Sequence, residues 1–189
     1  TLATAHVLWQ RGVGRDMIDF RTRSGLLSAT RKEHVIRLEL PADSPVELPP
    51  DMQASISDIL GVQAEWIGRG GEDVLVVFKQ ADDVRELQPD LALLKTLPFR
   101  GLIVTSPGDE DGVDCVSRFF APAAGIPEDP VTGSAHCLLA VYWGHRLGRR
   151  TLRGYQASAR TGIVDMELSG SRVILSGLAK TVLTGEFHG

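Results

Sequence analysis

Between Glu128 and His136 the sequence reads EDPVTGSAH: two carboxylates, a proline, a Thr-Gly-Ser step and a histidine. The segment that follows, CLLAVYWG, carries no charge and reads as a buried helix. A helix N-terminus holds N–H groups without intrahelical partners and the positive end of the peptide dipole. Where such an end meets a cleft, it favours an anion. Gly133, with no Cβ, lets an anion approach the backbone. Thr132 or Ser134 can cap the first turn, or turn a hydroxyl toward a carboxylate or enolate oxygen. Asp129 stands just upstream, where it can accept or orient a proton, and Pro130 stiffens that approach. These groups suit proton transfer beside a carboxylate-bearing substrate, using general acid–base groups and backbone donors. The same residues also fit an ordinary capped helix in which Asp129 satisfies loop amides.

Other chemistries fit less well. TGSAH is not a nucleophile elbow, because Thr132 and His136 stand where that motif needs glycines. His136-Cys137 has no C-x-x-C or H-x-E nearby, so no metal is expected. Taken alone, His136 reads as a structural histidine on the first turns of the helix, as do His6 and His145. Trp9, Tyr142 and Trp143 read as core. Glu128 reads as a solvated loop charge, with a second carboxylate for the site as the alternative.

The elements that must position this cluster alternate in type. Residues 1–15 predict an apolar helix, stopped by Gly12 and Gly14. MIDFRT, LLSATR and HVIRLEL predict strands. The proline-rich PADSPVELPP predicts a crossover between domains. DMQASISDILG predicts a short amphipathic helix with Asp51 as N-cap and Gly61 as its stop. AEWIGRG and DVLVVFK predict a strand pair turning at Gly70-Gly71. One or two short helices, broken at Pro89, follow between Asp82 and Leu97. GLIVTS and DCVSRFF predict two more strands, the second leading into the polar cluster.

A chain of 189 residues can bury a sizeable core. The net charge of −4 argues against nucleic-acid or acidic-membrane binding. No apolar run approaches the roughly 20 residues that span a bilayer. TLATAHVLWQRG lacks the basic start and cleavage site of a signal peptide. Cys115 and Cys137 are therefore expected as free thiols in a reducing, cytoplasmic setting.

The tail repeats the head. AHCLLAVYWGHRLGRR ends in a Leu-Gly-Arg step, as residues 1–15 end in Val13-Gly14-Arg15. Arg23-Ser24-Gly25-Leu26 matches Arg160-Thr161-Gly162-Ile163, and each is followed by a strand, HVIRLEL or SRVILSG. A duplicated α/β unit is expected.

SRFFAPAAGIPEDPVTGSAH closely resembles the signature of the PhzF-like phenazine-biosynthesis isomerase/epimerase family, which shares the diaminopimelate epimerase fold. The likeness continues through YWGHRLGRRTLRGYQASARTGIV to the strands RVILSG and KTVLTGEF. It also covers the head, TLATAHVLWQRG and FRTRSGLL. The resemblance implies an α/β fold of α+β type: two pseudo-repeated domains, each with strands curled round a central helix, and the active site between them. Residues 1–41 would be a remnant of the first domain and 42–189 the second, with the final strand open to assignment to either.

The resemblance further implies a cofactor-independent isomerase or epimerase that moves a proton at carbon in a small carboxylate-bearing substrate. No metal or organic cofactor is expected, and the intact form is expected as a homodimer. Asp129 and Ser134 would be catalytic, with Thr132, Gly133, Ser134 and His136 binding substrate. A thiol-based racemase would want a cysteine before Gly133, where Thr132 stands. Cys137 reads as a small core residue. The family's Gly-His-Ala step is expected just before Thr1 and its catalytic glutamate further upstream. The chain alone is then expected to be an inactive truncation, or, as the alternative, a non-catalytic small-acid-binding or scaffold protein.

Overall fold

The first helix, α1 (Leu2–Gln10), is followed by three strands, β1 (Met17–Thr22), β2 (Gly25–Lys32) and β3 (Val35–Pro41), paired as an antiparallel meander. This arrangement comes from a computed structural model that describes residues 1–22 and 25–186. A second helix-and-meander closes the chain: α5 (Gly133–Leu147), then β9 (Thr151–Gln156), β10 (Gly162–Ser169) and β11 (Arg172–Gly177). The repeat legible in the sequence is this unit. Gly25 and Gly162 open the matching strands β2 and β10, whereas Arg23 and Ser24 of the matched step lie outside the described residues.

Between the two units come β4 (Val46–Glu47), α2 (Pro50–Leu60), β5 (Trp66–Gly70), β6 (Asp73–Val77), α3 (Ala81–Glu86), α4 (Leu91–Leu94), β7 (Gly101–Pro107) and β8 (Cys115–Phe120). The described strands form one hydrogen-bonded sheet in the order β1-β2-β3-β11-β10-β9-β8-β7-β6-β5-β4. Only the β6–β7 and β8–β9 pairs of that order are parallel. β3 and β11 join the two meanders, with Leu38 opposite Leu175.

The sheet is buried on both faces where its strands are apolar throughout, as parallel-paired strands require. Leu75, Val77, Ile103, Cys115 and Phe119 face α5. Their neighbours Val74, Val76, Leu102, Val104, Val116 and Phe120 face the other way, in the core that includes Ile56 of α2 and Val84 of α3. The period-two alternation of the strands thus fills two cores. Leu138 and Leu139 of α5 are fully buried, each contributing about 1.5–3 kcal/mol by leaving water. Trp143 Nε1 donates to Thr105 Oγ1 at 3.1 Å, and that hydroxyl donates to the Val116 carbonyl at 2.7 Å. Two buried polar side chains are satisfied in one chain of bonds.

Three sequence expectations need correction. Asp51 does not cap α2: Pro49 holds that position, Pro50 opens the helix, and Asp51 lies in the first turn. Proline suits that place because its missing N–H would have had no helical partner. KTVLTGEF forms no strand within the described residues; Thr181 instead bonds His6 and Gln10 of α1. The apolar helix begins at Gly133, two residues before its first expected position, and ends at Gly148 in the left-handed conformation. Among the described residues no helix is long and apolar enough to cross a membrane.

Candidate active site

The polar cluster is a loop bound back onto the sheet. After β8, a 3-10 turn at Pro122–Ala124 and left-handed Gly125 reverse the chain. The Asp129 N–H then donates to the Phe119 carbonyl at 3.0 Å. Gln156, 1% exposed at the end of β9, clamps the rest. Its Oε1 accepts from Thr132 N–H at 2.8 Å and its Nε2 donates to the Asp129 carbonyl at 2.7 Å. Ser158 Oγ donates to the Pro130 carbonyl at 2.7 Å. Four backbone groups of the loop are thereby paired, the N–H groups of Asp129 and Thr132 and the carbonyls of Asp129 and Pro130.

Thr132 is the N-cap residue of α5 by position, yet its hydroxyl caps nothing. It donates instead to Asp129 Oδ2 at 2.5 Å, fixing the carboxylate against the helix start. Among the described residues no hydrogen bond reaches Asp129 Oδ1. Helix geometry leaves the N–H groups of Gly133, Ser134 and Ala135 outside the intrahelical ladder. A Cβ at Gly133 would meet only Leu175 Cδ1, at 3.7 Å. The surface over Gly133 and Ser134 is exposed.

Ser134 borders a cavity of about 520 Å³, whose lining includes Leu40, Asp43, Asp73, Arg100 and Leu138. Arg100 Nη2 donates to Ser134 Oγ at 3.0 Å. The same guanidinium forks onto Asp73, with Nε at 2.9 Å from Oδ1 and Nη2 on Oδ2. The Asp73 bond raises the Arg100 pKa above its ordinary value, against the opposing effect of burial. Burial, and then the nearby Asp73 charge, push the Asp43 carboxyl above its ordinary value.

His136 sits apart from this surface. It is 0% exposed, with Nδ1 at 2.7 Å from the Thr132 carbonyl, and its ring lies against Gly154, where a Cβ would come within 3.2 Å of it. Burial lowers its pKa below the usual value, more than the Thr132 hydrogen bond raises it. The Cys137 thiol is pushed up to about 12 by burial first, the Asp43 charge adding to it and Arg172 opposing. Among the described residues no three His, Cys, Asp or Glu side chains group as metal ligands would.

Glu128 is neither a solvated charge nor part of this surface. Arg118, 7% exposed, grips it with Nε at 2.8 Å and Nη2 at 3.1 Å. Arg118 Nη1 also donates to the carbonyls of Val84, Arg85 and Leu87, where α3 ends.

The structure therefore divides the sequence-derived set. Asp129 is joined to Thr132 and Gln156, Ser134 to Arg100 and only through it to Asp73, and His136 is turned into the core. Arg100, Asp73 and Gln156 escaped the sequence reading. Their local signals were slight: an arginine before the glycine of GLIVTS, an acid opening an apolar strand, and a glutamine closing the mixed strand TLRGYQ.

The PhzC-PhzF family model, described as phenazine biosynthesis-like protein, matches residues 1–185. This chain belongs to the PhzC-PhzF family. An uncharacterized isomerase of Halalkalibacterium halodurans is 40% identical over 190 residues, spanning 98% of this chain and 71% of that protein. Phenazine biosynthesis-like domain-containing protein 2 of Mus musculus is 37% identical, over 98% of this chain and 70% of that one. A crystal structure of a phenazine biosynthesis protein PhzF family member from Enterococcus faecalis superposes with a TM-score of 0.87 at 38% identity. It covers 99% of this chain and 71% of the other. A PhzC/PhzF structure from Clostridium difficile gives 0.85 at 32% identity, with the same coverage of both chains. The PhzF fold of the diaminopimelate epimerase type is thus the fold of this chain.

Proposed function

We propose that this chain forms one wall of the active site of a cofactor-independent isomerase or epimerase, which moves a proton at a carbon near a substrate carboxylate. The observation that carries the reading is the placement of the Asp129 carboxylate, fixed by Thr132, at the start of a buried helix whose first turn is exposed at Gly133 and Ser134. Asp129 Oδ2 is held by the Thr132 hydroxyl, and Oδ1 is the oxygen that handles the proton. Ser134 and the first N–H groups of α5 bind the substrate's carboxylate or enolate oxygen, charge that the helix dipole favours. Thr132 and Gly133 shape that contact. The isomerase names of relatives at 40% identity support the same reaction class.

The test is proton exchange at carbon. The protein in its full natural length is incubated in D₂O with small ring carboxylic acids bearing an acidic C–H, and deuterium entry is followed by NMR. Exchange that Asp129→Asn and Ser134→Ala both slow is expected. Exchange untouched by both variants overturns the site. Calorimetric binding of the acids without any exchange would instead favour a non-catalytic binding protein.

A further inference from the structure

Arg100 is built into its place before it meets Ser134. Its backbone N–H donates to the Glu72 carbonyl at 2.8 Å, and its side chain forks onto Asp73, whose own side chain is 7% exposed. The Phe119 ring lies 5.8 Å from the guanidinium carbon. Gly101 makes room for that ring, since a Cβ there would stand 2.4 Å from Phe119 Cζ. Asp73 and Gly101 are register partners in the parallel β6–β7 pair, so two rigid strands set the position of the cation. A bidentate fork from one buried carboxylate orients a guanidinium better than a single contact could.

A guanidinium only donates hydrogen bonds. Its 3.0 Å contact with Ser134 therefore makes Oγ an acceptor on that side, and the hydroxyl proton must point elsewhere. Serine in a first helical turn can otherwise spend that proton on a nearby backbone carbonyl. We propose that Arg100 is a positioning residue: it engages the lone pair of Ser134 and turns the hydroxyl proton toward the cavity, as a donor for an anionic substrate oxygen. The inference rests on Ser134 facing substrate, as in the function proposed above. Asp73 offsets part of the Arg100 charge, so direction comes first and field second. Arginine stays protonated across the working pH range, so the arrangement does not switch off with pH.

A substrate-free titration decides the matter. In Ser134→Cys the new thiol replaces the hydroxyl beside Arg100, and its reaction with iodoacetamide is followed against pH. Cys115 and Cys137 are buried, with thiols pushed up to about 12, and stay silent. Adding Arg100→Met is expected to move the midpoint of the rate profile upward by about one pH unit, through loss of a donor and a charge. Since Asp73 would then be buried unpaired, the same comparison is run with Asp73→Asn added, which removes both charges together. Arg100→Lys, which cannot both fork onto Asp73 and reach position 134, should fall between. An unmoved midpoint in the variant that folds overturns the inference. Deuterium exchange separates the two readings. Absent exchange with a responsive thiol counts against the function alone, and intact exchange with an unresponsive thiol against Arg100 alone.

Discussion

The carboxamide of Gln156 and the backbone of Thr132 form the joint that ties the Asp129 loop to the sheet. Thr132 N–H donates to Gln156 Oε1 at 2.8 Å, while Gln156 Nε2 reaches the Asp129 carbonyl at 2.7 Å. One side chain thus closes the four-residue span from Asp129 to Thr132 that carries the carboxylate. Gln156→Ala would leave a buried donor and an acceptor unpaired, at about 1–3 kcal/mol each. The expected outcome is a loss of roughly 2–4 kcal/mol in urea unfolding, together with faster amide exchange at Thr132. A variant as stable as the parent would show that water replaces the clamp without cost.

Asp129 and Ser134 are expected to act on different parts of the substrate. Asp129→Asn keeps an acceptor for the Thr132 hydroxyl but cannot take a proton. It should slow deuterium exchange by about 10²–10⁴-fold, the range of a positioned acid–base group. Ser134→Ala removes one donor to a developing anion and should slow exchange by up to about 10²–10³-fold. The measurement is the initial exchange rate in D₂O, with circular dichroism to confirm that both variants fold. Equal, near-parental rates would remove both residues from the mechanism.

Arg118 and Glu128 form a structural pair whose removal should be felt far from any substrate. Arg118 is 7% exposed and also holds three carbonyls at the end of α3. Arg118→Met strands Glu128 and those carbonyls, and is expected to cost about 3–5 kcal/mol. Glu128→Gln keeps an acceptor for the guanidinium and should cost distinctly less. Chemical denaturation of both variants checks the order. A larger loss for Glu128→Gln would reverse the roles assigned to the two groups.

How much of this was legible in the sequence depended on the range of the signal. The buried helix, the strands and the polar cluster are local patterns, and EDPVTGSAH names its family within nine residues. What escaped was set by pairing at a distance. Arg100 meets Asp73 27 residues away because β6 and β7 run parallel, and Gln156 meets Thr132 24 residues away. Glu128 looked solvated because its partner Arg118 lies 10 residues back on β8, the strand that leads into the loop, and no short motif couples the two. The Thr132 hydroxyl donates to the Asp129 carboxylate, a charge-assisted bond, and makes no cap bond.

His136 gives the fold a pH dependence whose sign can be worked out. Burial holds its native pKa below the usual value, so the folded protein keeps the ring neutral while an unfolded chain takes up a proton below about pH 6.5. The unfolded state then binds more protons, and stability must fall as pH drops below that value. The slope from this one site is at most about 1.4 kcal/mol per pH unit, and it vanishes above the unfolded pKa. His136→Asn cannot titrate and can still donate to the Thr132 carbonyl. Urea midpoints between pH 5 and 8 should therefore show a shallower acid limb in the variant, even if it is less stable throughout. An acid limb of unchanged slope would place the proton uptake on another group.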